Sequence, residues 1–235
     1  MCLLWLLLFL LVSAQCQTLF DKFSLELKPP NERELFVNDK VVLEVVVSGD
    51  KCQSAEKASV ACKVKNESVS GNIHFSQDTS PFIRVKNVTV DANKWFDGEP
   101  VTCTIHDPNN NRDFQWEIRF DKGDGQKPSV FIYKPDFIDT DQTRVSLVCE
   151  VTSPKLGNVY IMWKVDNEPY RKGLTSAPIH QPNSTSVLSI LTLSKQEYAK
   201  FNIITCAVIH ANMNNRRAPL QVSAFQSKQP ELSCD

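Results

Sequence analysis

Two cysteines with a tryptophan between them constrain the fold of this chain more than any other feature. Cys149 and Cys206 each lie in a short apolar run whose side chains alternate, and Trp163 lies in a third such run between them. Alternation with a period of two is typical of β-strands that turn one face to a core. Two facing sheets could be joined by the two cysteines, with the indole packed against the bridge. This pattern predicts an all-β sandwich.

The Cys149…Trp163…Cys206 spacing resembles that of immunoglobulin domains, in which the cysteines join the two sheets and the tryptophan packs on the disulfide. The resemblance implies a Cys149–Cys206 disulfide and a core position for Trp163. It implies much less about function, because the same sandwich carries many unrelated activities.

The strand pattern occurs twice, with a period of about 105 residues, the size of one sandwich domain. The apolar runs at 23–30, 40–48, 82–91 and 101–106 are echoed at 128–135, 143–151, 187–193 and 203–210. Between the copies, residues 121–128 are polar and contain Gly and Pro, as in a domain linker. We predict two tandem constant-type domains, at 17–122 and 127–226, followed by an unstructured tail at 227–235.

The first copy departs from the pattern at two core positions. In one alignment, Val45 replaces the first core cysteine, Cys62 replaces the tryptophan, and Cys103 keeps the second cysteine position. A Cys62–Cys103 disulfide would then join two neighbouring strands of one sheet. In a second alignment, Cys62 begins a shifted strand with the ordinary role, and Phe75 replaces the tryptophan. Cys62–Cys103 is the expected disulfide in both alignments.

An N-terminal apolar run predicts a secretory signal peptide at 1–16. Residues 3–12 are apolar but too few to span a bilayer, and small residues follow at Ser13 and Ala14. No Lys or Arg precedes the run, which departs from the usual signal pattern. Cleavage after Ala14 and cleavage after Cys16 both fit, and a buried N-terminal helix is the alternative. We find no second run of membrane-spanning length and expect a secreted, extracellular protein without a membrane span.

Secretion accounts for the cysteines and agrees with three glycosylation sequons. Cysteines in an oxidising compartment are expected as disulfides. Sequons at Asn66, Asn87 and Asn183 predict N-linked glycans. Cys52 and Cys234 remain outside the two expected disulfides, and each is a candidate for a disulfide between two copies of the protein or a free thiol.

Further residues resemble the constant region of an immunoglobulin heavy chain. The second copy resembles the last constant domain of a mu-type chain, through residues 127–133, 175–178, 189–194 and 205–210. The first copy resembles the preceding constant domain of a fish mu-type chain, through residues 41–44, 46–49, 94–95 and 101–103. Trp95 and Tyr198 lie just before the final strands, where the family has aromatic residues. Secreted mu chains end in a tailpiece with a penultimate cysteine, and Cys234 is penultimate here, although the sequon-bearing segment of that tailpiece is absent.

The resemblance implies an Fc-like scaffold that binds receptors or other immune proteins. No variable domain separates the predicted signal peptide from the first constant-like domain, so we do not expect antigen binding. Two chains would pair as a homodimer or a disulfide-linked oligomer, with Cys52 and Cys234 as candidate links. The alternative is a monomeric secreted immunoglobulin-superfamily receptor, decoy or adhesion protein.

Composition and motifs favour binding over catalysis. The net charge of −1 provides no field that would attract nucleic acid or an anionic membrane. The histidines are scattered, and we interpret His106 and His210 as structural residues in equivalent places after a core cysteine. The acidic cluster at 136–141 is interpreted as solvated loop charge rather than a calcium site, and Arg216-Arg217 as a solvated turn. We expect no catalytic residue, metal, cofactor or nucleic-acid partner.

Three aromatic residues alternate near the end of the first copy. Phe114, Trp116 and Phe120 are expected on its last strand. Packing in the core or between domains is the expected role for their side chains. A surface that binds a partner is the alternative.

Overall fold

The computed structural model describes residues 24–49, 59–69, 71–76, 82–107, 111–135, 138–139, 141–211 and 218–226. The protein divides into two compact units. Unit 1 comprises Met1–Asn31 and Lys40–Arg119, and unit 2 comprises Glu32–Asp39 and Phe120–Asp235. The predicted signal peptide, Cys52, Cys234 and the tail at 227–235 lie outside the described residues. The predicted domain bounds stay a prediction.

Unit 1 contains two antiparallel four-stranded sheets. In the first sheet the strand order is β1 (Ser24–Lys28), β2 (Val41–Gly49), β6 (Phe82–Val90) and β5 (Gly71–Ser76). In the second the order is β4 (Glu67–Val69), β3 (Ser59–Val64), β7 (Val101–Asp107) and β8 (Arg112–Ile118). A short helix, α2 (Ala92–Phe96), connects β6 to β7 and buries Trp95.

Unit 2 also contains two antiparallel sheets, one of five strands and one of three. Its larger sheet contains β9 (Ser129–Tyr133), β10 (Arg144–Ser153), β12 (Leu174–Thr175), β13 (Ile179–Gln181) and β14 (Ser184–Ser194), with β14 paired to β10, β12 and β13. Its smaller sheet has the order β11 (Tyr160–Val165), β15 (Ile203–Ile209), β16 (Leu220–Phe225). Helix α3 (Lys195–Lys200) begins with a capping box formed by Ser194 and Glu197 and buries Tyr198. The all-β sandwich prediction is confirmed.

The core of unit 2 has the predicted arrangement. The Cys149–Cys206 disulfide joins the larger sheet to the smaller one, with 6.3 Å between the Cα atoms. Trp163 is fully buried beside Cys206, and its Nε1–H donates a hydrogen bond to Ser189 Oγ at 3.0 Å. Gly173 makes room for this bond, because a Cβ there would lie 2.8 Å from the indole nitrogen. In the chain-entropy picture, a disulfide that closes a loop of this length adds about 4 kcal/mol of stability.

The core of unit 1 follows the first of the two alignments. Cys62 on β3 lies directly opposite Cys103 on β7, and the disulfide between them joins neighbouring strands with 4.1 Å between the Cα atoms. Val45 on β2 is fully buried in the position of the missing cysteine. The second alignment is wrong, because Cys62 lies inside β3 rather than at its start, and Phe75 lies on β5 in the opposite sheet.

A third position in unit 1 has changed together with these two. Val45 is paired with Lys86 on β6, just as Cys149 is paired with Ser189 in unit 2. The Lys86 ammonium donates a hydrogen bond to the backbone oxygen of Val60 at 2.8 Å, which links the first sheet to the second. A lysine therefore takes the place of the serine that receives the indole hydrogen bond in unit 2.

The segment expected as a linker is bound to unit 2. The backbone of Asp121 exchanges two hydrogen bonds with Asn158, one to its side chain at 2.7 Å and one from its backbone at 2.8 Å. Asp124 and Lys155 exchange two more, at 2.8 and 3.1 Å. Gly157 permits this approach, because a Cβ there would lie 2.2 Å from the Asp121 oxygen.

Helix α1 (Glu32–Asn38) was not predicted, and it belongs to unit 2. Leu35 is buried, and the Phe36 ring lies 5.2 Å from the ring of Tyr170. Glu32 forms an ion pair of 2.9 Å with Lys172. A helix of 7 residues is too short to form without such tertiary contacts, which explains why its sequence carries little signal.

Replacing Gly157 with Ala should release the segment at 121–126. The new Cβ would overlap the backbone of Asp121, so the hydrogen bonds to Asn158 would be lost. We expect a lower melting temperature and faster tryptic cleavage after Lys122. Gly125→Ala is the control, since its Cβ would meet no atom within 4 Å and its positive φ alone should cost about 1 kcal/mol. Equal cleavage rates in the two variants would contradict this account.

The three altered core positions of unit 1 should be interdependent. We expect Cys62→Trp alone to destabilise unit 1, because it frees Cys103 and places an indole beside Lys86. The combination Val45→Cys, Cys62→Trp and Lys86→Ser should restore stability with a new disulfide between the two sheets. Peptide mapping under non-reducing conditions would identify that bond, and thermal melts would compare the variants. A combined variant no more stable than Cys62→Trp would show that the positions are independent.

Candidate functional site: an exposed apolar face of unit 2

The larger sheet of unit 2 has an outer face that is unusually apolar. On β9, Val130 and Ile132 pack against the core, so the alternate residues Phe131 and Tyr133 point outward. Their side chains are 50% and 52% exposed, and Leu174 on β12 is 74% exposed. A contiguous patch of exposed aromatic and aliphatic side chains usually marks a surface that another molecule covers.

The strand register assembles these side chains into a continuous surface. One row runs across four strands, from Tyr133 through Val148 and Ile190 to Leu174. A second row runs from Phe131 through Glu150 to Leu188. We call this surface the outer face of unit 2, defined by Phe131, Tyr133, Val148, Glu150, Leu174, Leu188 and Ile190.

One charged group lies within this outer face. The Tyr133 hydroxyl donates a hydrogen bond to Glu150 Oε2 at 2.7 Å. This bond raises the pKa of Tyr133, because the deprotonated phenolate could no longer donate it and would be repelled by the Glu150 carboxylate. The pair orients the phenol ring and satisfies one carboxylate oxygen, so the apolar surface around Glu150 can be covered at a lower desolvation cost.

The equivalent face of unit 1 mixes charged and polar residues with half-buried valines such as Val46 and Val85. Lys28, Glu44 and Asn87 form one row across β1, β2 and β6. Glu26 lies opposite Val46 in the next row and is exposed. The described parts of these two corresponding faces therefore differ in their chemistry.

The predicted glycosylation residues lie in two kinds of place. Asn66 is exposed in the turn between β3 and β4, and Asn183 is exposed in the turn between β13 and β14. Asn87 lies within β6, and its Oδ1 is buried and accepts no hydrogen bond. An asparagine in a turn is open to solvent, whereas a sugar attached to an asparagine within a strand must extend outward between the neighbouring side chains. Glycosylation itself stays a prediction at all three residues.

The structure brings together one group of polar residues that the sequence left scattered. Ser59, His106 and Asp113 lie opposite one another on β3, β7 and β8. His106 Nδ1 lies 2.8 Å from Asp113 Oδ1, in a hydrogen-bonded pair whose side chains are 43% and 65% exposed. A charge-relay pair in a hydrolase is normally shielded from water, so this exposed pair resembles a surface interaction.

His106 and His210 do not occupy equivalent places, contrary to the sequence interpretation. Cys103 pairs with Cys62 in unit 1, and Cys206 pairs with Trp163 in unit 2. Counted from these two cysteines along their strands, His106 corresponds to Ile209 and not to His210. His106 is half-exposed, whereas His210 is buried. A shift of one residue on a strand reverses the face on which a side chain lies.

The remaining sequence candidates have simple surroundings. Among the described residues, no group of three or more His, Cys, Asp or Glu is placed to hold a metal ion. The Asp139 backbone oxygen accepts a hydrogen bond from the Lys195 ammonium at 3.0 Å. Asp136, Arg216 and Arg217 lie outside the described residues.

The three aromatic residues near the end of the first copy do not share a strand. Phe114 and Trp116 lie on β8 with ring centroids 6.1 Å apart, and Trp116 is opposite Cys103. Phe120 follows the end of β8 and is buried in unit 2, where its ring stacks on Tyr160 at 6.2 Å. The expectation of one alternating strand was therefore wrong for Phe120.

Residues 130–213 match the immunoglobulin C1-set domain. Unit 2 carries a C1-set domain. The outer face described above lies entirely within the matched range, on the sheet that contains the first core cysteine of this domain. The similarity to heavy-chain constant regions, inferred from the sequence, is thereby confirmed for this part of the protein.

Similarity over a longer stretch points to the same class of protein. The Ig mu constant (C) region of Canis lupus familiaris is 29% identical over 152 residues, which cover 62% of this chain and 34% of that protein. The membrane-bound form of the Ig gamma-1 C region of Mus musculus is 23% identical over 159 residues, covering 67% and 40%. The Ig gamma-1 C region of Rattus norvegicus is 22% identical over 153 residues, covering 65% and 47%. The matched stretch thus spans about a third to a half of each of these relatives.

None of the helices in the described part of the protein has the length and apolarity needed to cross a membrane.

The C1-set domain should lose stability in mild acid through His210. Burial and the positive charge of Lys127 lower the pKa of this histidine. Below its usual pKa of about 6.5, the unfolded protein takes up a proton that the folded domain refuses. The unfolding free energy should fall as pH drops from about 6.5 towards the lowered pKa, by at most about 1.4 kcal/mol per pH unit.

Thermal melts between pH 7.5 and pH 5 would measure this effect. We expect the pH dependence to shrink in His210→Gln and to persist in the control His106→Gln, since His106 is half-exposed. The carboxylates Asp166 and Glu197 have lowered pKa values and act only in stronger acid. A melting temperature of the parent protein that is constant across this range would contradict the assignment.

Proposed function

We propose that this protein is a secreted, Fc-like binding scaffold of the immune system. The observation that carries the proposal is the outer face of unit 2, which exposes Phe131, Tyr133 and Leu174 on a C1-set domain. The disulfides in both units agree with an extracellular location. The role is binding rather than catalysis.

The outer face of unit 2 would pair with the same face of a second copy. A two-fold interface is self-complementary, so a flat apolar sheet face can cover its own counterpart. Aromatic side chains flanked by aliphatic ones are the usual composition of an interface centre, and Glu150 is already hydrogen-bonded to Tyr133. The equivalent face of unit 1 exposes the charged side chains of Glu26 and Lys28, so the non-covalent contact between copies would run through unit 2.

Receptors or other immune proteins would bind surfaces that remain open after pairing. Cys52 and Cys234 are candidates for covalent links between the paired copies. The alternative is a monomeric secreted receptor, decoy or adhesion protein, in which a different protein covers the outer face of unit 2. The oligomeric state of the secreted protein separates the two.

The combined substitution Phe131→Arg and Leu174→Glu should abolish pairing. Phe131 and Leu174 lie at opposite edges of the outer face of unit 2, and both side chains project into solvent. The substitutions should therefore leave each monomer folded. Sedimentation equilibrium in the presence of a reducing agent would show a dimer for the parent protein and a monomer for the variant.

Glu26→Arg on the equivalent face of unit 1 is the matched control and should remain dimeric, because Glu26 is exposed and belongs to no sequon. Non-reducing gels of Cys52→Ser and Cys234→Ser would show which cysteine links the two copies. A parent protein that sediments as a monomer at every concentration, with or without reductant, would favour the alternative.

A further inference from the structure

The second sheet of unit 1 carries a trough on its outer face. Short side chains form its floor, because Ala61 and Thr104 lie opposite each other on β3 and β7. Longer polar side chains line its sides, and the cavity measures about 570 Å³. The residues that line it are Ser59, Ala61, Lys63, Lys65, Thr102, Thr104, His106, Asp113 and Gln115.

The chemistry of the trough suits a ligand rich in hydroxyl groups. Threonine hydroxyls and the Gln115 amide both donate and accept hydrogen bonds, as sugar hydroxyls do. Two of its polar groups already have partners, since Lys65 forms an ion pair with Glu99 and the His106 ring is hydrogen-bonded to Asp113. Among the described residues, Lys63 forms no ion pair and leaves one ammonium available to the ligand. No large apolar side chain lines the trough, so an apolar peptide is a poor match.

A sequon lies at the rim of this trough. Asn66 is exposed in the two-residue turn that follows β3, directly after Lys65, which is one of the lining residues. Ser68, the third residue of the sequon, lies opposite Lys63 on the neighbouring strand β4. A glycan attached to Asn66 would therefore begin next to the cavity.

We propose that the oligosaccharide on Asn66 folds back into this trough and binds there. Tethering gives such a ligand an effective concentration in the millimolar range, so weak polar contacts are enough to hold it. The glycan would contact the ammonium of Lys63 and the hydroxyls of Thr102 and Thr104. It would cover the polar cavity beside its own sequon.

Chemical labelling of lysines tests the proposal. The secreted glycoprotein is acetylated with an N-hydroxysuccinimide ester, and the rate at Lys63 is compared with that at the exposed Lys40 by mass spectrometry. We expect the Lys63 rate to rise several-fold in Asn66→Gln. The same rise is expected in Ser68→Ala, which removes the sequon and keeps the asparagine.

The matched control is Asn183→Gln, which removes a glycan from a comparable turn in unit 2 and should leave Lys63 unchanged. Enzymatic trimming of the parent glycoprotein to a single sugar should also raise the Lys63 rate, because the outer sugars fill the trough. This measurement needs no variant and holds if Asn66→Gln fails to be secreted. An Asn66 without a glycan, or a Lys63 rate unaffected by trimming, would overturn the proposal.

Discussion

The Trp163 indole and the Cys149–Cys206 disulfide lie side by side between the two sheets of unit 2, and the rest of this domain depends on them. The disulfide joins the sheets, and the hydrogen bond from the indole to Ser189 leaves no buried donor unsatisfied on this side chain. Together they set which side chains of each strand face the core. Because strand side chains alternate, the same constraint places Phe131 and Tyr133 on the outside.

Unit 1 shows what happens when that constraint is removed. Val45 and Cys62 replace the cysteine and the tryptophan, so the disulfide joins neighbouring strands of one sheet. Lys86 then stands where the serine acceptor stood and connects the sheets through a hydrogen bond to Val60. The sandwich persists because the strands of both sheets still turn alternate apolar side chains into the core between them. The alternating pattern of the strands therefore determines the fold, whereas the position of the disulfide can differ between two units with the same fold.

The two units have also diverged in what they show to solvent. The larger sheet of unit 2 presents an apolar row, whereas the corresponding sheet of unit 1 presents Lys28, Glu44 and Asn87. The second sheet of unit 1 instead carries a polar trough beside Asn66. Such a division agrees with the proposed scaffold, in which unit 2 would hold two copies together and unit 1 would remain hydrated. The same backbone serves both purposes, because outward side chains can change without disturbing the core.

The sequence by itself determined the sandwich class, since this depends on local alternation and on the repeat. The resemblance to immunoglobulin domains, carried by the Cys149…Trp163…Cys206 spacing, implied that disulfide and the core role of Trp163, and the repeat then pointed to Cys62–Cys103. It also indicated the replacement of the core residues in unit 1, although two alignments remained and only the pairing of Cys62 with Cys103 on adjacent strands separated them. The outer face of unit 2 could not be read from the sequence, because Tyr133, Ile190 and Leu174 are distant in sequence and meet only through strand register. The sequence also carried no sign of helix α1 or of the binding of residues 121–126 to unit 2, because tertiary contacts rather than local propensity hold both segments in place.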